Sequence, residues 1–400
     1  MNVIAARQKA SYSVFGHVCL DFSTPTVRLS QERAQATKDR VLGIEGFERG
    51  RLMTAEDLFS RHGLKISDVA ANNRWNMESL TKSKGGPAAS AALGIFQLSQ
   101  EGKVDFRGAI GNDGIGREIA AYFEEYGMDS SAFIRISGAV TSHTLVVNEQ
   151  IEGDPEAHRS FLHDRGPNST VKFGDVAQSL HNLPDAERKV VMVGGNFLMP
   201  QLNPWGVMDI FEMARPQGAI RILNTVDDPA KTWALTAKAP ELVDVLITDL
   251  DEAMGISGTT KDKDENDEAA IGRCMHYFRT HHYRNVAITN GVKGAWMYTT
   301  DPFVFSGADG HLFHMPCNPY IASLDQPKYG LGCGDITAGA LAVAAGEHMD
   351  QFNALRFAMA AGGACALNIA GEITGPCEQG GARELVEEIV NKGHEIRGGQ

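Results

Sequence analysis

KVVMVGGNFLMPQLNPWGVMDIFEMARPQGAIRILNTV, residues 189–226, decides the fold. It opens with an apolar, β-branched run (189–196) that ends in two glycines. An amphipathic helical pattern follows (204–216), and a second β-branched run closes it (220–226). Strand, helix, strand in that order predicts a parallel crossover, and the unbroken apolar character of both runs predicts strands buried on two faces. Outward from this unit the rhythm repeats. Further strands are expected at YSVFGHV (12–18), VDFRGAIG (104–111), LVDVLITD (242–249) and NVAITNG (285–291). Helices are expected at 88–100, 116–127 and 269–282. The expected class is α/β, a mainly parallel sheet between helices.

Two segments depart from the pattern. Residues 137–164, SGAVTSHTLVVNEQIEGDPEAHRSFLHD, alternate and contain Gly153-Asp154-Pro155, which predicts an antiparallel ribbon turning there. Residues 26–80 are polar, charged and partly helical, and read as a surface excursion outside the core. With no linker beside either, the 400 residues read as one domain with an appended flap.

A net charge of −13 argues against nucleic-acid or membrane-surface partners but leaves room for a phosphorylated ligand held by backbone dipoles. Six scattered cysteines without a C-x-x-C pair, and an N-terminus lacking the apolar core of a signal peptide, predict a reduced, cytoplasmic protein.

Five stretches carry candidate chemistry. In KYGLGCGDITAGA (328–340) the glycines let the amides of Gly332, Cys333 and Gly334 converge at the mouth of a helix, an anion hole. Asp335 beside them suits a general base for a hydroxyl attacking a held phosphorus; the alternative is an N-capping Asp after a tight turn. In SKGGPAASAALG (83–94), Gly85 and Gly86 allow a ligand to approach the backbone and Ser90 offers a hydroxyl, though helix packing explains small residues equally. RGAIGNDGIGRE (107–118) superficially matches a dinucleotide fingerprint, but Asp113 would repel the pyrophosphate. In ITDLDEA (247–253), Asp249 and Glu252 share one helical face and suit a hydrated Mg²⁺, or a capping box. In ITNGVKGA (288–295), Thr289, Gly291 and Gly294 suit a turn along a nucleotide, or a plain hairpin. Metal chemistry through the histidines is discounted: His158 and His163 stand at no usual ligand spacing, and His281-His282 diverge.

In succession these motifs, from VFGHVCLDF (14–22) through GGPAASAALG, FRGAIGNDGIGREI and GCGDITAGALA (332–342), resemble the ribokinase-like (PfkB-type) carbohydrate kinases over nearly the whole chain. The resemblance implies a three-layer αβα sandwich with a small β lid formed by about 17–35 and 132–172, the 26–80 stretch being an insertion. It implies ATP-dependent phosphorylation of a hydroxymethyl group of a sugar or sugar-like substrate, with a nucleoside kinase or a non-catalytic binding member as alternatives. Asp335 matches the family's base, and Gly332, Cys333 and Gly334 its anion hole. Asp21, Gly85, Gly86, Ser90 and Asn168 fall at the sugar side. Asp249 and Glu252 fall at the Mg²⁺ and phosphate motif, and Thr289, Gly291 and Gly294 at the nucleotide turn. A homodimer through the lid is a further implication. Ser90 and Asp249 each stand where the family usually has Asn, and Tyr329-Gly330-Leu331 replaces the Asp-Thr pair tied to a monovalent cation, which leaves K⁺ open.

Overall fold

Side chains of the central strands fall alternately into two separate cores, the pattern a pleated strand produces when both its faces are covered. Val190, Met192, Ile220 and Ile222 pack into one core, and Val191, Val193, Ala219 and Leu223 into the other. The structure, a computed structural model, describes residues 8–153, 157–181, 183–262, 264–325, 330–368 and 372–398. Its eight-stranded sheet runs Leu312–Met315, Ala295–Thr299, Asn285–Thr289, Val245–Asp249, Ala219–Asn224, Ala186–Gly194, Gln8–Gly16, Val104–Arg107. The last six named are mutually parallel, and the first two add antiparallel at one edge.

Helices Pro87–Leu98, Cys333–Gly346 and Gln351–Ala366 cover one face; Trp205–Ala214 and Asp267–Thr280 cover the other. The result is the expected three-layer αβα sandwich. The Ala and Gly content of the Cys333 helix has a packing cause: a Cβ on Gly339 would lie 2.5 Å from the Ala91 carbonyl oxygen of the Pro87 helix. No helix among the described residues is long and apolar enough to cross a membrane.

A second sheet runs Leu52–Thr54, Ala157–Asp164, His143–Ile151, Cys19–Ser23, Thr81–Gly85, with Val27–Leu29 also pairing to His143–Ile151. The expected ribbon is its antiparallel centre, Phe161 opposite Val146. Of its turn, Asp154 and Pro155 lie outside the described residues.

Three expectations need correction. The run 104–111 is two strands, because the chain leaves the main sheet at Gly108 and Ala109–Gly111 pairs with Ile134–Ile136 instead. The run 242–249 is strand only from Val245; Ala239–Leu242 is a helical turn. Residues 26–80 are not merely a surface excursion. They supply two strands of the second sheet, and Val41, Phe47, Leu58, Ile66 and Val69 enter the larger core. Their apolar residues are spaced singly among charged ones, which hides a buried face in a polar composition.

This segment is fastened by charge as well. Arg49 Nε donates to Glu149 Oε2 at 2.8 Å, and its other nitrogens donate to the Ala34 carbonyl and Thr37 Oγ1. Both partners are nearly solvent-free, with side chains 7% and 4% exposed. A buried pair of this kind costs much to break from one side, since the survivor is left charged and unpaired. Arg49→Met should therefore lower stability by about 3–5 kcal/mol, read by denaturant unfolding. Arg49→Met combined with Glu149→Leu should recover most of the loss.

Candidate active site

The sheet reverses its direction of growth at Gln8–Gly16: the next main-sheet strand in sequence lies on one side of it and all later ones on the other. A crevice opens at such a switch point, outside the carboxyl ends of the strands. Here those ends are Gly16, Asn224, Asp249 and Thr289, and the second sheet stands over them. The cleft between has a volume of ≈ 410 Å³. Among the predicted residues Asp21, Gly86, Asp249, Glu252, Thr289, Gly332, Gly334 and Asp335 line it. Gly85, Ser90, Asn168, Gly291, Gly294 and Cys333 do not.

Gly332 begins the helix Cys333–Gly346 in a left-handed conformation (φ 75°) that a side chain resists, and no side chain caps the helix start. Asp335 is thus not the N-cap; it sits inside the first turn. A Cβ on Gly334 would meet nothing within 4 Å, so the backbone there faces open cleft. Cys333 turns its Sγ away, toward the Leu331 carbonyl and Cys365 Sγ (3.6 Å). Asp335 Oδ1 accepts from Asn224 Nδ2 at 3.0 Å. Desolvation pushes its pKa up to about 6, against the Asn224 hydrogen bond and Lys84, and with help from Asp21. Tyr329 lies outside the described residues.

Toward the second sheet, Asp21 is buried and its Oδ1 accepts from Cys19 Sγ at 3.3 Å. Desolvation raises the Asp21 pKa, while Thr144, Cys19 and Lys84 pull it down. Gly85 and Gly86 are small for this neighbourhood: added Cβ atoms would lie 2.2 Å from Asp21 Oδ2 and 2.5 Å from the His17 carbonyl oxygen. Ser90 is buried at hydrogen-bond range from Lys84 Nζ (3.5 Å). Asn168 is engaged with backbone: it bonds Val18 N and O and the Arg165 carbonyl.

The histidine reading from spacing needs correction. His163 is buried with its Nε2 3.0 Å from His17 Nε2, a pairing across 146 residues that local spacing does not reveal. Burial first, then Arg165, lowers the His17 pKa to about 3; burial, His17 and Arg165 hold His163 well below its usual value, so both rings are neutral.

At the opposite side Asp249 and Glu252 form a reciprocal capping box on the helix Leu250–Ser257. Glu252 Oε2 also accepts from Thr225 (2.6 Å) and Thr248 (3.2 Å). Asp227 and Asp251 join them along the cleft, with Arg51 3.1 Å from Asp251. Desolvation raises both Asp249 and Glu252; repulsion from Asp251 and Asp227 adds to it at Asp249, and repulsion from Asp249 adds to it at Glu252. A dense set of hard oxygens whose ionisation is disfavoured in isolation fits a hydrated divalent cation such as Mg²⁺. Gly291 and Gly294 shape the turn between two antiparallel strands, and Gly294 (φ +101) passes 2.2 Å from the Met315 oxygen, measured from an added Cβ. None of 107–118 lines the cleft; Asp113 is spent on Gly116 N and on Thr141 N and Oγ1.

Sequence reasoning missed Asn224, Lys84 and Thr144, which gain meaning only from partners far along the chain. Arg159 also lines the cleft, and a Cβ on Gly330 would lie 2.7 Å from its Nη1.

Fold and cleft together define a ribokinase-type α/β enzyme. Residues 62–373 match the pfkB family carbohydrate kinases. The chain belongs to that family and is a kinase of its class, one for which ATP use is supported. It is 25% identical over 262 residues to the aminoimidazole riboside kinase of Salmonella typhimurium, covering 63% of this chain and 71% of that one. The adenosine kinase of Sinorhizobium meliloti superposes with a TM-score of 0.66 at 14% identity, over 95% of this chain and 99% of the other. The Arabidopsis thaliana ribokinase complexed with ribose and ATP gives 0.61 at 16%, over 95% and 98%.

The raised pKa of Asp335 has a consequence for stability. Its folded value lies above its unfolded one, so the group's favourable contribution is present at low pH and is lost as pH rises through about 6. Asp335→Asn removes the ionisation. The melting temperature of the variant relative to wild type should therefore rise between about pH 4.5 and about pH 8, in parallel thermal scans.

Proposed function

We propose that this chain transfers the terminal phosphoryl group of ATP to a hydroxymethyl group of a sugar or sugar-bearing substrate, with Asp335 as general base. The observation that carries the reading is Asp335 itself. It is a carboxyl with pKa about 6, held by Asn224 in the first turn of a helix whose leading amides open on the same cleft.

A base with that pKa is ionised at neutral pH yet basic enough to take a hydroxyl proton as the oxygen attacks. Asn224 keeps one carboxylate oxygen engaged, which fixes the orientation of the other. The amides of Gly332, Cys333 and Gly334 stabilise charge on the moving group, and Arg159 supplies a cation beside the same loop. Asp21 orients acceptor hydroxyls, and Thr289 borders the nucleotide. The second sheet excludes water that would otherwise take the phosphoryl group. Asp249 and Glu252 would hold Mg²⁺ through water, and the ion when bound supplies charge neutralisation on the phosphate oxygens. A nucleoside acceptor is the second reading, favoured by the name of the aminoimidazole riboside relative.

An assay of ADP release over a panel of sugars and ribosides tests both, and absence of turnover with every member overturns the proposal. Asp335→Asn should lower kcat by about 10²–10⁴-fold with nucleotide binding retained; undiminished turnover removes Asp335 as the base. In wild type kcat/KM should fall on the acid side below about pH 6. Asn224→Ala should move that limb upward, since the lost hydrogen bond favoured the ionised form.

A further inference from the structure

Three side chains at the second-sheet end of the cleft take no part in this chemistry. His17 follows the first main-sheet strand, Cys19 opens Cys19–Ser23, and His163 lies on Ala157–Asp164. They are 1%, 3% and 1% exposed, yet all three line the cleft. The two Nε2 atoms face each other at 3.0 Å, and one ring nitrogen of each histidine lies with Cys19 Sγ in a group whose members are within 4.8 Å of one another.

Hydrogen bonding within the protein accounts for only part of this cluster. Two neutral imidazoles meeting Nε2 to Nε2 share one proton, and His17 Nδ1 is buried with no partner. The Thr144 hydroxyl lies 3.0 Å from His163 Nδ1 and 3.5 Å from Cys19 Sγ. It can accept from Nδ1–H and donate to a thiolate, which leaves the Nε2 lone pair of His163 free to ligate. That is how outer groups orient metal ligands.

We propose that His17, Cys19 and His163 bind one divalent transition-metal ion of the zinc class. Two imidazoles and a thiolate select such an ion over Mg²⁺ or Ca²⁺. Binding releases the Cys19 proton to solvent. The thiolate and the adjacent Asp21 carboxylate then balance the two positive charges, with Arg165 and Lys84 as the opposing cations. Three protein ligands leave a fourth position, which water or an acceptor oxygen can fill from the cleft. The proposal is independent of the kinase reading.

The test uses the untagged full chain, stripped with a chelator and titrated with Co²⁺ without ATP or acceptor. One equivalent should give the visible absorption of four-coordinate cobalt and a near-ultraviolet thiolate-to-cobalt band, both displaced by Zn²⁺. Cys19→Ser should abolish the near-ultraviolet band. Thr144→Val, which keeps every ligand, should weaken binding about 10–100-fold. Absence of the band in wild type overturns the site, as does a band that survives Cys19→Ser, because the thiolate would then be another cysteine. A cobalt signature without turnover on the substrate panel counts against the kinase reading alone.

Discussion

Two residues, His17 and Val18, are all that separate a strand of the main sheet from a strand of the second. Two extended residues span only about 7 Å, so the sheets must meet at that point and open away from it. Gly16 makes the exit possible: it takes φ +140°, and a Cβ there would lie 2.1 Å from the Gly194 carbonyl oxygen. Asn168 bonds both the N–H and the C=O of Val18, clamping the connection. The cleft is therefore placed by chain connectivity. Asp21, four residues on from His17, is carried into it by the pairing of Cys19–Ser23 with Thr81–Gly85.

Placing the cleft there has an electrostatic cost. Asp21 is near enough to Asp335 to raise its pKa, and water is scarce around both. Lys84 is the buried cation that offsets them. The offset is incomplete, which suits the proposed role: a carboxyl fully neutralised by a salt bridge would be a poor proton acceptor near neutral pH. Asn224 provides orientation without supplying a full charge. The same logic holds at Asp249 and Glu252, where repulsion among acids is left for a cation to relieve.

The parts of this architecture legible in the sequence are those encoded locally. Strand alternation into two cores follows from continuous apolar runs, and the glycine loop with Asp335 announces itself because glycine conformation and helix start are local properties. Asn224 ends a strand that was recognised, but nothing in IRILNTV marks it; its partner is 111 residues away. His17 and His163 are invisible for the same reason. The 26–80 segment was misjudged through composition: Phe47 and Leu58 are fully buried among residues that look solvated. Gly85 and Gly86, which suit ligand approach or helix packing, have Asp21 and His17 as immediate neighbours, and Gly86 also lines the cleft.

The second-sheet end of the cleft draws its lining from two segments. Arg51 and Leu52 come from the 26–80 segment, while Thr144, Arg159, Phe161 and His163 come from the ribbon it pairs with. This segment adds Leu52–Thr54 to the edge of that ribbon, with Phe161, Leu162 and His163 opposite it. Its other anchor, Arg49, fixes Glu149 on the neighbouring strand. The segment is thus paired directly with the strand bearing Arg159 and His163, whereas Asp335 and Asn224 stand on the main sheet and its helix. The fold separates the two tasks. On the proposed reading, proton transfer would rest on doubly buried elements, and choice of acceptor on an edge that residues 26–80 can reshape without disturbing Asp335.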